Sequence, residues 1–307
     1  MLSQPLSTHA AWLAYWQTLD LPVLQYTLDH MQALRSKSDM IGLRDLAALI
    51  EHDPFLSLHV IRYLQEHRHA RQITDVSTVD RVLLMIGIDG FFSEFSRCAA
   101  LETQLEAHPS AREGLRRVMA RHYFAARLAS SIADQRHDLD PLEVKTASLL
   151  SGLAEMLLWL SAPQLAVTIA RMQLQQPALR SRDAQSQVIG MPLIELQLEL
   201  AARWHLPELL THLMDEKRAD EARVRTVSYA TSLARHLSSG WNNAALPDDY
   251  RNVADLLNCD TDTAYQLILR CAIQTGRQWH WYGCLPPISL RPLIVVPPAP
   301  PTSEADK

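Results

Sequence analysis

Thirteen of the 307 residues are histidine, and imidazole is the side chain best suited to metal ligation and to proton transfer near neutral pH. Two literal His-Asp dipeptides occur, His52–Asp53 and His137–Asp138. Such a pair can give one nitrogen and one carboxylate oxygen to a divalent ion, which would activate water against a phosphoester. Each has a plainer explanation. Asp53 precedes Pro54, and an Asp-Pro step opens a helix: the carboxylate accepts an orphan backbone N–H while proline presets φ at the first position. His137–Asp138 lies in QRHDLDPLE, which reads as a solvated loop ahead of a second such start at Asp140–Pro141. No H-E-x-x-H motif is present, nor an H-x₃-H pair with a third ligand.

Three other groups could do chemistry. Arg112, Arg116, Arg117, Arg121 and Arg127 crowd one stretch, a pattern that suits an anion or a nucleotide phosphate. On a helical wheel Arg112, Arg116 and Arg127 share one side while Arg117 and Arg121 take another. A split solvated face is therefore expected, with Arg112, Arg116 and Arg127 as the candidate partner or anion face. Glu155 sits in a very apolar segment; a buried carboxylate needs a partner, which His122 or an arginine would supply. Trp279, Trp281 and Tyr282 could stack on a base or a peptide proline, but are expected to pin the C-terminal segment onto its own domain.

Composition excludes several classes. Glycine is scarce, 9 residues of 307, or roughly half the usual share, which argues for helices joined by short connections rather than glycine-rich loops and hairpins. Neither G-x-G-x-x-G, G-x-x-x-x-G-K-[ST] nor G-x-S-x-G occurs. A net charge of −5 opposes a nucleic-acid backbone. The four cysteines form no C-x-x-C pair and fit a reducing compartment. No basic and apolar leader opens the chain. The apolar run 147–162 is interrupted by Glu155 and falls short of the ~20 residues that a membrane span needs. The expectation is a cytoplasmic protein without a membrane segment.

The elements that must position these residues are helices throughout. Trp12, Tyr15 and Trp16 form one apolar stripe, giving an N-terminal docking helix within 1–18. Pro22 is expected to open a helix reaching Arg35; LRDLAALIEH makes a third, and FLSLHVIRYLQEH follows Pro54. Ser77 or Thr78 caps VDRVLLMIG, which Gly87 ends. Further helical patterns cover about 91–106, 111–135, 141–161, 163–175, 183–189, 193–204, 207–217, 222–238 and 261–281. The run 215–223 reads as a junction and 241–249 as a loop. Seven of the 17 prolines lie between Pro286 and Pro301, so 286–307 reads as an extended, partly disordered tail whose IVV triplet could dock as a short strand. No period-two alternation persists and no fixed repeat emerges. The fold class is all-α.

Read in order, several segments resemble the HDOD (HD-related output domain) family, a helical regulatory relative of the HD phosphohydrolases. LDLPVL at 19–24 looks like its opening Leu-Pro motif. LRDLAALIEHDPFLSLHVIRYL resembles its signature, with Gln65 and Glu66 where the family has Asn-Ser. ITDVSTVDRVLLMIGIDGFF at 73–92 is similar to its capped helix ending in Leu-Gly, and VIGMPLIELQLELAARWHLPELL at 188–210 to a later Gly-then-helix stretch. The resemblance covers about 19–216. It implies an N-terminal helical subdomain (19–106), a degenerate HD-like subdomain (107–216) and a helical extension (217–285) such as some bacterial members carry.

The resemblance also implies where metal ligands would be. HD enzymes use a His on one helix, a His-Asp dyad on the next and a distant Asp. The first matches His122, which a helical wheel places inward among Leu115, Val118, Ala125 and Ala129. The dyad positions are Ser151 and Gly152. Leu193 stands where a family His often follows the Gly motif, and the later His-rich segment is reduced to His212. One imidazole, a hydroxyl and a glycine are too few ligands for a catalytic ion. The expected function is therefore non-catalytic: a bacterial signal-transduction scaffold that recruits a protein partner, in pathways of the cyclic-dinucleotide or motility kind, with no cofactor and with a homodimer allowed. The rivals are a divergent metal-dependent phosphohydrolase built on His122, a small-ligand or nucleotide sensor, and a nucleic-acid binder using the arginine-rich helix. A packed interior or a small metal-free pocket is expected beside His122.

Overall fold

Prolines and short polar caps start most of the helices of this chain, and the resulting punctuation accounts for the architecture. A computed structural model describes residues 1–37, 40–67, 76–176 and 178–291. Among them are α1 (His9–Gln17), α2 (Gln25–Arg35), α3 (Leu43–Glu51), α4 (Pro54–Glu66), α5 (Val79–Phe95), α6 (Leu101–Gln104), α7 (Pro109–Gln135) and α8 (Pro141–Leu150). The second half adds α9 (Leu153–Ser161), α10 (Pro163–Gln175), α11 (Ser181–Ile189), α12 (Leu193–Arg203), α13 (Glu208–Met214), α14 (Ala222–Ser238), α15 (Leu246–Leu257) and α16 (Thr261–Gly276). Pro54, Pro109, Pro141 and Pro163 each open a helix, where the missing N–H costs nothing and the fixed φ is already helical. The fold is all-α, as composition and pattern require. The described residues contain no strand, only one isolated bridge between Val23 and Ala100. No single described helix is long and apolar enough to cross a membrane. The tail beyond Arg291, its IVV triplet and the Ile73 end of one motif lie outside the described residues.

The 27-residue α7 is the axis, some 40 Å long at 1.5 Å per residue. Its buried positions run from Ala111 to Ala133, and α4, α8, α9, α10, α14, α15 and α16 all pack on it. One continuous apolar core runs from Trp12 in α1 to Tyr282 beyond α16. The Trp12/Trp16 stripe is fully buried. α1 docks on α12, and Trp16 Nε1 donates to Ser161 Oγ at 3.1 Å.

Asp53 joins two helix starts. Oδ1 accepts the N–H groups of Phe55 (3.1 Å) and Leu56 (3.2 Å), the expected cap. Oδ2 accepts Leu24 N–H (2.7 Å) and Thr27 Oγ1–H (2.8 Å) at the start of α2. Burial pushes this carboxyl up from its ordinary value, against the pull of its four donors. The same bonds explain why α2 does not start at Pro22. Val23 is engaged with Ala99 and Leu101 (2.9 and 2.7 Å) and the Leu24 N–H with Asp53, so helical turns begin only at Gln25.

The C-terminal extension is tied to this joint by aromatic stacking. The His52 ring lies between Tyr123 (centroids 4.4 Å apart, 26° between planes) and Trp281 (4.3 Å, 12°). Tyr282 Oη donates to the His52 carbonyl at 2.6 Å. Trp279, Trp281 and Tyr282 are buried, so they pin the extension onto its own chain. Burial also pushes the His52 pKa down to about 4, although Nδ1 reaches the Ala48 carbonyl at 2.6 Å.

Several local expectations are corrected. Gly87 bends α5 rather than ending it: its φ of 71° interrupts the helical geometry and the helix resumes to Phe95, a conformation that glycine adopts without strain. The pattern read as one helix over 91–106 is split, because the chain leaves helical geometry at Ser96 and turns again only at α6. Residues 246–257, within and beyond the expected 241–249 loop, form α15. Pro247 falls in its first turn with Asp248 and Asp249, whose charges suit a helix N-terminus. The helix expected over 261–281 stops at Gly276, and a separate short 3₁₀ turn carries Trp279–Trp281.

The His137–Asp138 loop is solvated at His137 and Leu139 but anchored at Asp138. Asp138 accepts from Arg223 Nε at 3.0 Å with its side chain 6% exposed, while Glu143 takes Arg223 Nη2 (2.9 Å) and Ser77 Oγ (3.0 Å). Ser77 and Asp140 therefore do not cap their helices. Ser77 serves Glu143, and Asp140 pairs with Arg81 at 2.6 Å.

Asp53→Ala would leave four donors facing a space without an acceptor. At about 1–3 kcal/mol per unsatisfied buried group, partly relieved by relaxation, urea unfolding should show a loss of about 3 kcal/mol or more. A loss under about 1 kcal/mol would show that this carboxylate is not the joint between α2 and α4.

Candidate functional site

Ser151 and Gly152 interrupt what the apolar pattern presents as one helix over 141–161. The Ser151 hydroxyl turns back to the Ser148 carbonyl (2.8 Å) and Gly152 leaves helical geometry, so α8 ends at Leu150 and α9 starts at Leu153. Backbone groups at such a break need partners. Gln197 on α12, 3% exposed, supplies two: Oε1 accepts Ala154 N–H (3.0 Å) and Nε2 donates to the Leu150 carbonyl (2.7 Å). Nothing in the sequence pattern marks Gln197, because its partners lie on another helix.

His122 faces this break from α7, inward as the helical wheel predicts, and is 6% exposed. Its Nδ1 lies 3.2 Å from both the Ser148 carbonyl and Ser151 Oγ. Because the Ser151 hydroxyl already donates to Ser148, Nδ1 is assigned as the protonated nitrogen and Nε2 as the bare one. The ring lies directly on Gly152. A Cβ added there would stand 2.7 Å from His122 Cε1 and closer still to Nε2 and Cδ2. The imidazole thus fills the volume in which a residue-152 side chain would begin. Burial, and next the charge of Arg121, push the His122 pKa down to about 3.

Glu155, one turn beyond, meets Arg121 Nη2 at 2.5 Å, so its partner is an arginine. Burial pushes the carboxyl up, but the Arg121 guanidinium, with His122 and Arg235 beyond it, outweighs that and holds Glu155 below the usual range. His122, Ser151, Gly152 and Glu155 together border a cleft of about 170 Å³. α11, α12, α13 and α14 close it, bringing Arg182, Leu193, Met214, Ser228, Thr231 and Arg235 to its walls. A small pocket, rather than a dry interior, adjoins His122. Sequence reasoning passed over the α14 wall, although Ser228, Thr231 and Arg235 recur at helical spacing and form a polar stripe.

The arginine face is not assembled as drawn. Arg116 is held by Glu102, at 3.1 Å through Nε and 2.6 Å through Nη2. Arg127 is half-buried near Tyr123 and Cys271. Arg112 makes no ion pair among the described residues, and of the five only Arg121 pairs with a residue of the cleft, Glu155. His212 is committed to Glu221 at 2.7 Å.

The ligand set for a divalent ion does not fit. No group of three or more His, Cys, Asp or Glu side chains among the described residues is placed to hold one. The dyad positions offer one hydroxyl, from Ser151, and no side chain at Gly152, and Glu155 is neutralised by Arg121.

The model of the HDOD domain matches residues 21–219, roughly two thirds of the chain. This chain belongs to the HDOD family. No curated protein matches it. Among solved structures, the MmoQ response regulator from Methylococcus capsulatus str. Bath superimposes with a TM-score of 0.61 at 20% identity, covering 82% of this chain and 98% of that one. A virulence factor from Campylobacter jejuni subsp. jejuni gives 0.57 at 15%, covering 87% and 100%. Both show a shared HDOD-type fold, and both extend over more of this chain than the family model does.

Two outcomes follow from this geometry. Gly152→Ala should cost about 1–3 kcal/mol by overpacking against the imidazole, and most of that cost should vanish in a His122→Ala background. Equal costs in both backgrounds, read from urea midpoints, would refute the contact.

The second concerns acid. His52 and His122 have folded pKa values of about 4 and about 3, below the ordinary 6.5, so the unfolded chain takes up protons that the native state refuses. Stability is full above about pH 6.5, falls by about 2 kcal/mol per histidine by pH 5, and levels off below about pH 3. His122→Gln should flatten the pH dependence of the melting temperature between pH 6.5 and 4; an unchanged slope would show that this ring is not held neutral.

Proposed function

We propose that this HDOD protein is a non-catalytic regulatory module that acts by binding a protein partner. One observation carries the reading: the position of the dyad carboxylate is glycine, and the His122 ring occupies the space where that side chain would start. A divalent ion polarises a phosphoester and acidifies its bound water only when several ligands fix it with an open coordination position. Here one neutral imidazole, bonded through Nδ1, is the sole ligand of that set. The fold neighbours agree with a signalling role, since one is described as a response regulator.

Partner binding is supported by exposed apolar surface on the N-terminal subdomain. Leu84 on α5 is 71% exposed, beside Gly42, Leu43, Arg44 and Asp45 at the start of α3. A solvent-facing leucine next to charged side chains is the composition of an interface core and rim.

The deciding measurement is metal content and turnover of the purified full chain. We expect substoichiometric Mn, Fe, Mg and Zn, and no hydrolysis of a phosphomonoester or a cyclic dinucleotide above a protein-free blank. Stoichiometric metal that is lost together with hydrolysis in His122→Ala would establish the divergent phosphohydrolase instead.

A further inference from the structure

Arg235 is the guanidinium of the cleft with no counter-charge in contact. Arg182 pairs with Glu195 at 3.1 Å and Arg121 with Glu155 at 2.5 Å, whereas Arg235 makes no side-chain hydrogen bond or ion pair among the described residues. Arg235 is solvent-exposed and also lines the cleft. The Ser228 hydroxyl on the same face of α14 lines the cleft and is likewise without a partner among the described residues. Helix side chains lean toward the N-terminus, so Arg235 reaches back over Thr231 toward Ser228. The like charge of Arg121 acts against the Arg235 guanidinium, and an anion held on Arg235 would offset that repulsion. The carboxylates at the site do not fill that role. Glu155 belongs to Arg121, and Glu216 is exposed at the rim and makes no ion pair with Arg235.

Size selects among anions. Pockets for drug-sized ligands hold about 300–1,000 Å³, and this cleft holds about 170 Å³. That is room for a tetrahedral oxyanion with a few attached atoms, and too little for a mononucleotide or a cyclic dinucleotide. Guanidinium presents two parallel N–H donors matched to two phosphate oxygens, and a serine hydroxyl adds a third donor.

We propose that this cleft binds a phosphate group, free or at the end of a small phosphomonoester, on Arg235 and Ser228 without a metal ion. The site goes beyond the scaffold reading. Arg235 lies outside the matched domain, residues 21–219, while His122, Ser151 and Glu155 lie inside it. A bound phosphate would therefore bridge domain and extension and strengthen their docking.

The test is thermal unfolding of the full chain at fixed ionic strength, titrated with inorganic phosphate, with glycerol 3-phosphate, and with a cyclic dinucleotide as the size control. A saturable rise in melting temperature is expected with one or both of the first two and none with the third. Whichever of the first two binds more tightly identifies the source of the phosphate. Arg235→Gln should raise Kd at least tenfold, while Arg251→Gln on the exposed face of α15 leaves it unchanged. If Arg235→Gln does not fold, Ser228→Ala is read in its place and should weaken binding at least threefold. No saturable shift in the wild type, an unchanged Kd in the cleft variants, or preference for the cyclic dinucleotide would overturn the site. Hydrolysis of the bound ester would support the site and instead sink the non-catalytic reading.

Discussion

A bare Cα at Gly152 lets the His122 imidazole lie on the backbone between α8 and α9, and the geometry around the cleft depends on that contact. With any Cβ at this position α7 and the α8–α9 break would have to separate, and Ser148 and Ser151 would leave Nδ1. The break would then lose one of its supports, since its backbone groups are otherwise satisfied by Gln197 from α12. The ring's neutrality follows from the same packing. Dry contact on one face, hydrogen bonds at Nδ1 that need only one proton, and Arg121 nearby all oppose a positive charge. Gly114, earlier on α7, repeats the device: the Trp159 ring of α9 covers it so closely that no Cβ would fit. Two glycines, in a chain with 9 in all, thus set how near α9 approaches α7.

The extension beyond the matched domain is a structural wall, not an appendage. α14 packs on α7 and α8, α16 on α7, and Trp281 completes the stack on His52. Arg223, at the start of α14, reaches Asp138 and Glu143 at the start of α8. Because the ion pairs are reinforced by a continuous apolar core, removal of the extension would expose α7 along much of its length. The cleft beside His122 exists only because α14 closes it.

What was legible in the sequence was what short range determines. Asp-Pro starts, the Trp12/Trp16 stripe and the inward face of α7 could be read because each depends on residues a few positions apart; Ser151 and Gly152 were singled out only through the family resemblance. What was not legible depends on distant partners. Pro22 is a good helix opener that yields to Asp53, 31 positions later, because Asp53 claims the Leu24 N–H. The break at Ser151–Gly152 is hidden in an apolar run, and its stabiliser Gln197 comes from another helix. Asp138 looks like a loop residue until Arg223 is folded onto it. Helical angle divides the arginine-rich stretch, yet angle alone does not say that Arg116 is consumed by Glu102. Arg235 was missed because an arginine near the end of an amphipathic helix reads as solvent-facing; only the arrival of α9 and α13 makes its surroundings concave.

The two proposals rest on one piece of electrostatics. A divalent ion and a guanidinium both attract phosphate, but they differ in what they do to water. The ion withdraws electron density from a coordinated water and lowers its pKa by many units, which makes a nucleophile at neutral pH. A guanidinium bears one delocalised charge, binds through hydrogen bonds in a fixed plane and leaves nearby water chemically ordinary. The neutral His122 could serve as a base only if its conjugate acid were accessible, and a pKa of about 3 makes it a weak one. A cleft lined by Arg235 as well as by His122, Ser151 and Gly152 would keep affinity for phosphate and lose the means to cleave it. Binding without turnover is what a regulatory module requires of a ligand, because an equilibrium between docked and loosened states is shifted by differential affinity and not by consumption.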